Sequence, residues 1–260
     1  MDKEIFFKDI NETSLIRSID FYNCGITNFL KKRFDEAITD FSNAIFERFE
    51  YVSAILMRSL CYYKLNDIDK AIADSESATI YEPLNSDTHF IKSFLYYKKK
   101  DYYTSLNSIN IALSLTKPDE YTHYLRAVNS FFLGEKEFAF REFKKCIFYS
   151  KSPFFTFIPG YIKEKSGEIR EATDLFCNIL DYAPARYNYG VLISGKQPEI
   201  SENLFKSLII NTNYADLSLY QLAKIYLRKR SFNKAGIILG RLCLRHCNNF
   251  RLMLLYAKTM

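Results

Sequence analysis

Small side chains recur along this chain at a fixed interval of 34 residues. Ala44, Ala78, Ala112 and Cys146 form one ladder, and Ala37, Ala71, Ser105 and Ala139 form a second with the same step. Small residues at fixed helical positions are what two antiparallel helices need in order to approach closely, so the period reports a stacked structural unit that is used again and again. A chain built this way is expected to work through a surface, not through an enclosed pocket.

The content of each period agrees. Residues 52–85 read as a helix, a polar turn at Leu65-Asn66-Asp67, a second helix and a proline stop at Pro83. Further prolines at Pro118, Pro153 and Pro184 fall where the second helix of each pair should end, because the ring lacks an N–H and disfavours the α conformation in the residue before it. Pro159 interrupts this scheme. It lies inside the first helix of the fifth unit, which is therefore expected to start late or kink, leaving Phe154, Phe155 and Phe157 in a non-helical joint between two blocks.

These residues resemble the tetratricopeptide repeat. Its pattern has a small eighth residue, an aromatic eleventh, Ala at 20 and 27, a bulky residue at 24 and Pro at 32. Gly25, Ala37, Phe41 and Ala44 match it in the first unit; Ser59, Tyr62, Ala71, Ala78 and Pro83 in the second; Ser93, Tyr96 and Ala112 in the third; Ala127, Ala139, Phe143 and Cys146 in the fourth. Gly160, Ala172, Phe176 and Pro184 mark a fifth, and Ala223, Tyr226 and Ala235 a last full unit after a degenerate sixth. The tryptophan-like fourth position holds His89, His123 and Thr156, and the chain has no Trp. The resemblance implies an all-α fold, a right-handed α-solenoid of about seven antiparallel helix pairs in one domain over 1–260. Its repeats span 18–51, 52–85, 86–119, 120–152, 153–184, 185–215 and 216–249, with a terminal helix at 250–260.

Composition is compatible with this. An apolar content of 48% in 260 residues supports a continuous core made from neighbour contacts. The apolar patch near the start is too short for a signal peptide, and no run reaches membrane-spanning length, so a cytoplasmic protein without a membrane partner is expected. The six cysteines sit in helical patterns without CxxC spacing, which favours reduced core thiols.

Enzymatic chemistry finds little support. Eight glycines are scattered singly, with neither GxGxxG nor GxxxxGK[ST], so no phosphate-cradling loop can be drawn. His89 and His123 occupy the same slot of successive repeats and read as packing residues. Cys243, His246 and Cys247 lie close together without an evident fourth ligand, and neither a metal nor another cofactor is expected.

In the tetratricopeptide family the first helix of each pair lines a concave groove. The resemblance places Tyr22, Ile26, Phe29, Leu56, Leu60, Tyr63, Phe90, Phe94, Tyr97, Tyr124, Val128 and Phe131 in that groove. An apolar and aromatic groove of this kind would take an extended or helical apolar segment of another protein. Chaperone-tail binding is disfavoured, because the positions matching the family's carboxylate clamp carry Tyr22, Ile26, Met57, Asp87 and Ile91, although Arg58 keeps the usual arginine.

Charge supplies the competing reading. Residues 201–260 carry ten Lys or Arg and two acids, a net of +8, whereas residues 1–200 carry 26 and 28, a net of −2. Lys224, Arg228, Lys229, Arg230, Lys234, Arg241 and Arg245 form a candidate basic face for an acidic partner or, less favoured, for nucleic acid. The terminal helix is apolar nearly all round. Phe250, Leu254 and Ala257 are expected to pack inward and Leu252 and Leu255 to await a cover: an acidic partner helix, a second copy, or a fold-back of the chain.

Overall fold

The computed structural model describes residues 3–210, 212–246 and 249–259, with side chains from Thr13 onward except that of Phe250. All regular structure among the described residues is α-helical, and no helix is long and apolar enough to cross a membrane. Two compact units follow one another, the first ending at Tyr149 and the second beginning at Ser150. The first contains four helix pairs: α1 (Lys3–Leu30) with α2 (Phe34–Glu47), α3 (Val52–Lys64) with α4 (Ile68–Tyr81), α5 (Ser86–Lys98) with α6 (Tyr102–Leu115), and α7 (Glu120–Phe132) with α8 (Lys136–Tyr149). The second contains α9 (Pro153–Lys165) with α10 (Ile169–Cys177), α11 (Ala183–Ile193) with α12 (Pro198–Leu208), α13 (Ala215–Arg228) with α14 (Phe232–Arg245), and then α15 (Phe250–Ala257).

The reversal inside each pair has one recurring solution. Lys32, Asn66, Lys100, Gly134, Gly167 and Arg230 all have positive φ, and all stand at the same place in their repeats. In each case the next N–H donates to a carbonyl five residues back, as in Arg33 to Asn28, Asp67 to Tyr62 and Asp101 to Tyr96, at 2.9 to 3.0 Å. This left-handed cap satisfies orphan carbonyls of the ending helix. Only two of the six sites use glycine. The others hold an L side chain in a conformation that disfavours it by roughly 1–2 kcal/mol.

Both small-residue ladders lie in the core. Ala37, Ala71, Ser105 and Ala139, and likewise Ala44, Ala78, Ala112 and Cys146, are fully buried. The tightest approach is glycine against an aromatic ring. A Cβ on Gly25 would stand 2.6 Å from Phe41, one on Gly160 2.7 Å from Phe176, and one on Gly190 3.0 Å from Phe205. The last pair shows that the sixth unit is a complete helix pair. Its glycine and aromatic stand 15 residues apart instead of 16, so the sequence pattern is broken although the packing is not. In the third repeat, Ser93 and Ser105 replace the usual small apolar pair, and each hydroxyl donates to the other residue's carbonyl, at 2.8 and 2.7 Å.

Four expectations require correction. Pro153 and Pro184 lie in the first turns of α9 and α11, where a missing N–H goes unnoticed; they open the next helix instead of closing the previous one. Pro159 neither delays nor breaks α9, which runs from Pro153 to Lys165 with Phe154, Phe155 and Phe157 inside it. The lost hydrogen bond is offset by tertiary packing, because Pro159 and Gly160 are buried and Gly160 seats the Phe176 ring. The cysteines are not uniformly core residues: Cys61 and Cys146 are buried, but Cys24 and Cys177 are exposed.

The fourth correction concerns α15, whose inward face is the reverse of that expected. Leu252 is buried and Leu255 and Tyr256 pack with Leu239 and Leu242, while Leu254 is half exposed. The cause lies in α14, where Gly236 and Gly240 open space for Thr259 and Tyr256. Residues 252, 255, 256 and 259 share one helical face, and that face follows the glycines. The chain itself covers Leu252 and Leu255; Phe250 lies outside the side chains described.

Charged groups tie the pairs together from within. Glu142 of α8 is buried and accepts from His123 at 2.7 Å, Arg126 at 2.6 Å and Lys145 at 2.8 Å. Burial pushes its pKa up, but the hydrogen bonds from Lys145, His123 and Arg126 outweigh that and hold it below its ordinary value. In the second unit Glu202 of α12 accepts from Lys206, Lys229 and Tyr226 at 2.7, 3.0 and 2.8 Å. The bond from Lys206 is the largest cause lowering its pKa to about 2.

Three outcomes follow from this packing. Ala71→Leu or Ala139→Leu overpacks a fully closed helix contact and should cost about 1–3 kcal/mol in denaturant unfolding; an unchanged midpoint would contradict the pairing. Gly134→Ala meets no atom within 4 Å of its new Cβ, so its loss of about 1 kcal/mol should be purely that of a φ of +91°. Glu202 is protonated more easily unfolded than folded, so its stabilising contribution is whole above about pH 4.5 and is lost as pH falls toward 2. Urea titrations across that window should show a shallower acid slope for Glu202→Gln than for the wild type.

Candidate functional site

Within the first unit the odd-numbered helices touch one another in sequence, α1 to α3, α3 to α5 and α5 to α7, and no comparable contact joins α2, α4, α6 and α8. The helices that start each pair are thus the more closely gathered layer. A cavity of about 640 Å3 lies on that layer, within the usual range of about 300–1,000 Å3 for binding pockets. All of its walls come from α1, α3, α5 and α7.

Seven residues assigned to a groove from the sequence do line this cavity together: Tyr22, Leu56, Leu60, Phe90, Phe94, Tyr97 and Tyr124. Five others do not. Ile26 and Phe29 pack into the α1–α2–α3 core, with Phe29 edge-on to Phe34 at 5.6 Å. Tyr63 supports the floor from behind, edge-on to Phe94 at 5.1 Å. Val128 is buried, and Phe131 stands against Phe132, which itself stacks on Tyr102.

The cavity also includes Met57, Asp87 and Ile91, which stand at the clamp positions, together with Ser53, Lys98, Tyr121 and Leu125. Lys98 belongs to a basic triplet at the α5–α6 turn, and its ammonium stands 5.2 Å from the Phe94 ring centre and 5.4 Å from that of Tyr97. Burial raises the pKa of Tyr22, Tyr97 and Tyr124, that of Tyr124 to about 12. All three hydroxyls are therefore neutral across the physiological pH range.

Other candidate groups have structural engagements. Arg58, at the family's usual arginine position, is clamped bidentately on Asp74, with both distances 2.8 Å, and also donates to Ser42. His89 meets the Pro83 carbonyl at 2.8 Å, and His123 is held by Glu142. His246 pairs with Asp216 at 3.0 Å; Cys247, its neighbour in the considered cluster, lies outside the described residues. Among the described residues no group of metal-binding side chains is assembled.

The seven cations of the basic face are spread over α13, the following turn and α14. Lys229 pairs with Glu202 and Arg245 with Asp216, so both acids of residues 201–260 are engaged. Lys224 and Lys234 lie over the Tyr220 and Tyr226 rings, Arg228 reaches the Ser194 carbonyl, Arg230 occupies the left-handed turn, and Arg241 is exposed. Much of the local charge thus stitches neighbouring helices.

No protein-family model matches this chain, and no curated protein matches it in sequence. Solved structures match it in three dimensions. The C-terminal part of a TPR repeat-containing protein from Cytophaga hutchinsonii is 16% identical, with a TM-score of 0.68 covering 90% of this chain and 98% of that one. A tetratricopeptide repeat protein from Parabacteroides merdae is 13% identical, with a TM-score of 0.65 covering 94% and 99%. YrrB, described as a TPR protein with an unusual peptide-binding site, is 18% identical, with a TM-score of 0.52 covering 70% and 96%. Together with the seven helix pairs of the described residues and their recurring left-handed turns, these likenesses show that the chain has the tetratricopeptide-repeat fold.

Proposed function

We propose that this protein is a non-catalytic adaptor that holds an apolar segment of another protein in the groove of its first unit. The observation that carries this reading is the cavity of about 640 Å3 whose floor combines Leu56, Leu60, Phe90, Phe94 and Tyr97 from adjacent helices. Side chains of this kind give up little on desolvation, and a contiguous apolar patch is where a partner gains most. Likeness to YrrB supports a peptide ligand in the same general sense. Nucleic acid is the weaker alternative, because the basic face of the second unit spends part of its charge on internal partners.

The reading is tested by selecting binders from a displayed random-peptide library on the intact chain and measuring their affinity for two variants. Leu60→Lys places a charge on the groove floor. Tyr121→Ala removes a groove-wall ring that is 57% exposed and should leave stability within about 1 kcal/mol of wild type. Selected peptides should be rich in apolar and aromatic residues, should lose tenfold or more in affinity for either variant, roughly 1.4 kcal/mol or more, and should be nearly indifferent to salt. Peptides that bind both variants as well as wild type, or binding that falls steeply with salt, would remove the groove as the functional site.

A further inference from the structure

The groove is apolar along its floor but bordered by two side chains of opposite charge. Asp87 stands in the first turn of α5 and Lys98 in its last, and both line the cavity. Eleven positions of one helix separate them (87 to 98), about 16 Å at 1.5 Å per residue. Helix ends favour an acid at the start and a base at the finish, which accounts for these residue types on α5 but not for both bordering a cavity. Neither takes part in an ion pair among the described residues, in contrast to Arg58, Glu142 and Glu202. Lys98 is moreover held over the Phe94 and Tyr97 rings, so its ammonium is positioned at the groove wall instead of ranging through solvent.

We infer that the occupant of this groove is a dipolar segment: an apolar stretch of about 16 Å with a cationic residue at the end beside Asp87 and an anionic residue at the end beside Lys98. This rests on the groove being the binding site. The physical reason is complementarity. A charge opposite in sign at each end gains a partner, whereas a like charge is repelled at short range, and the two ends demand opposite signs. A free carboxylate docking at Asp87 is excluded on the same ground, so an occupant acidic throughout does not fit.

Three capped synthetic peptides of about 12 residues, long enough as helices to span both charges, test this. They share one Leu- and Phe-containing core and carry terminal Lys and Glu, Lys at both ends, or Glu at both ends. The mixed peptide should bind two- to fivefold tighter than either other, the range expected for exposed ion pairs, and the difference should shrink in high salt. Asp87→Lys should shift the preference to the Glu/Glu peptide, and Lys98→Glu should shift it to the Lys/Lys peptide. Both positions are exposed, so the variants should fold, which far-UV circular dichroism checks. Equal binding of all three peptides, still lost in Leu60→Lys, would overturn the dipolar assignment while leaving the groove in place. Failure of all three to bind, or binding unaffected by Leu60→Lys, would overturn the groove reading and this inference with it.

Discussion

Everything in this molecule depends on how closely the two helices of a pair can approach. Where Gly25, Gly160 or Gly190 faces an aromatic ring, the ring fills the space that a Cβ would need. Where Ser93 faces Ser105, hydroxyls bridge the helices instead. Each solution keeps the interhelical distance short, and the short distance is what lets the next pair dock in the same way. Stability is accordingly distributed among neighbour contacts, and no single centre dominates.

Close pairing has a geometric consequence that creates the groove. In the first unit the helices that begin each pair gather more tightly than those that end it, so their outward side chains converge. Phe90, Phe94 and Tyr97 are consequently shared between the support of the layer and its exposed floor. A groove of this type needs no specialised loop. It arises from the same side chains that hold the helices together, with the polar markers Asp87 and Lys98 added at the ends of one helix.

Charge plays two parts that a count of residues does not separate. The excess of Lys and Arg in residues 201–260 resembles a binding surface in one dimension. In three dimensions Glu202 holds Lys206 of its own helix and Lys229 of a later turn, Asp216 holds Arg245, and tyrosine rings receive other cations. Glu202 thus serves two cations at once. Glu142 does the same inside the first unit, where three donors balance its burial.

The sequence by itself determined the repeat, the helix pairing and the identity of the core rungs, because those depend on local size and spacing: a small residue every 34 positions admits few alternatives. It also reached Leu56, Leu60, Phe90, Phe94 and Tyr97, which the fold brings together in one cavity. It placed the sixth pair only as a degenerate unit, because Gly190 and Phe205 stand one residue closer than the pattern requires. It misjudged Pro159, Pro184 and the inward face of α15, where burial within α9, the first-turn position and Gly236 with Gly240 decided the outcome. Tertiary structure alone decided that Val128 is closed off while Lys98 borders the cavity, and that Lys229 and Arg245 are spent on internal acids. Those outcomes depend on which neighbours lie within a few ångströms across helices, and a helical period specifies a face without specifying what stands opposite it.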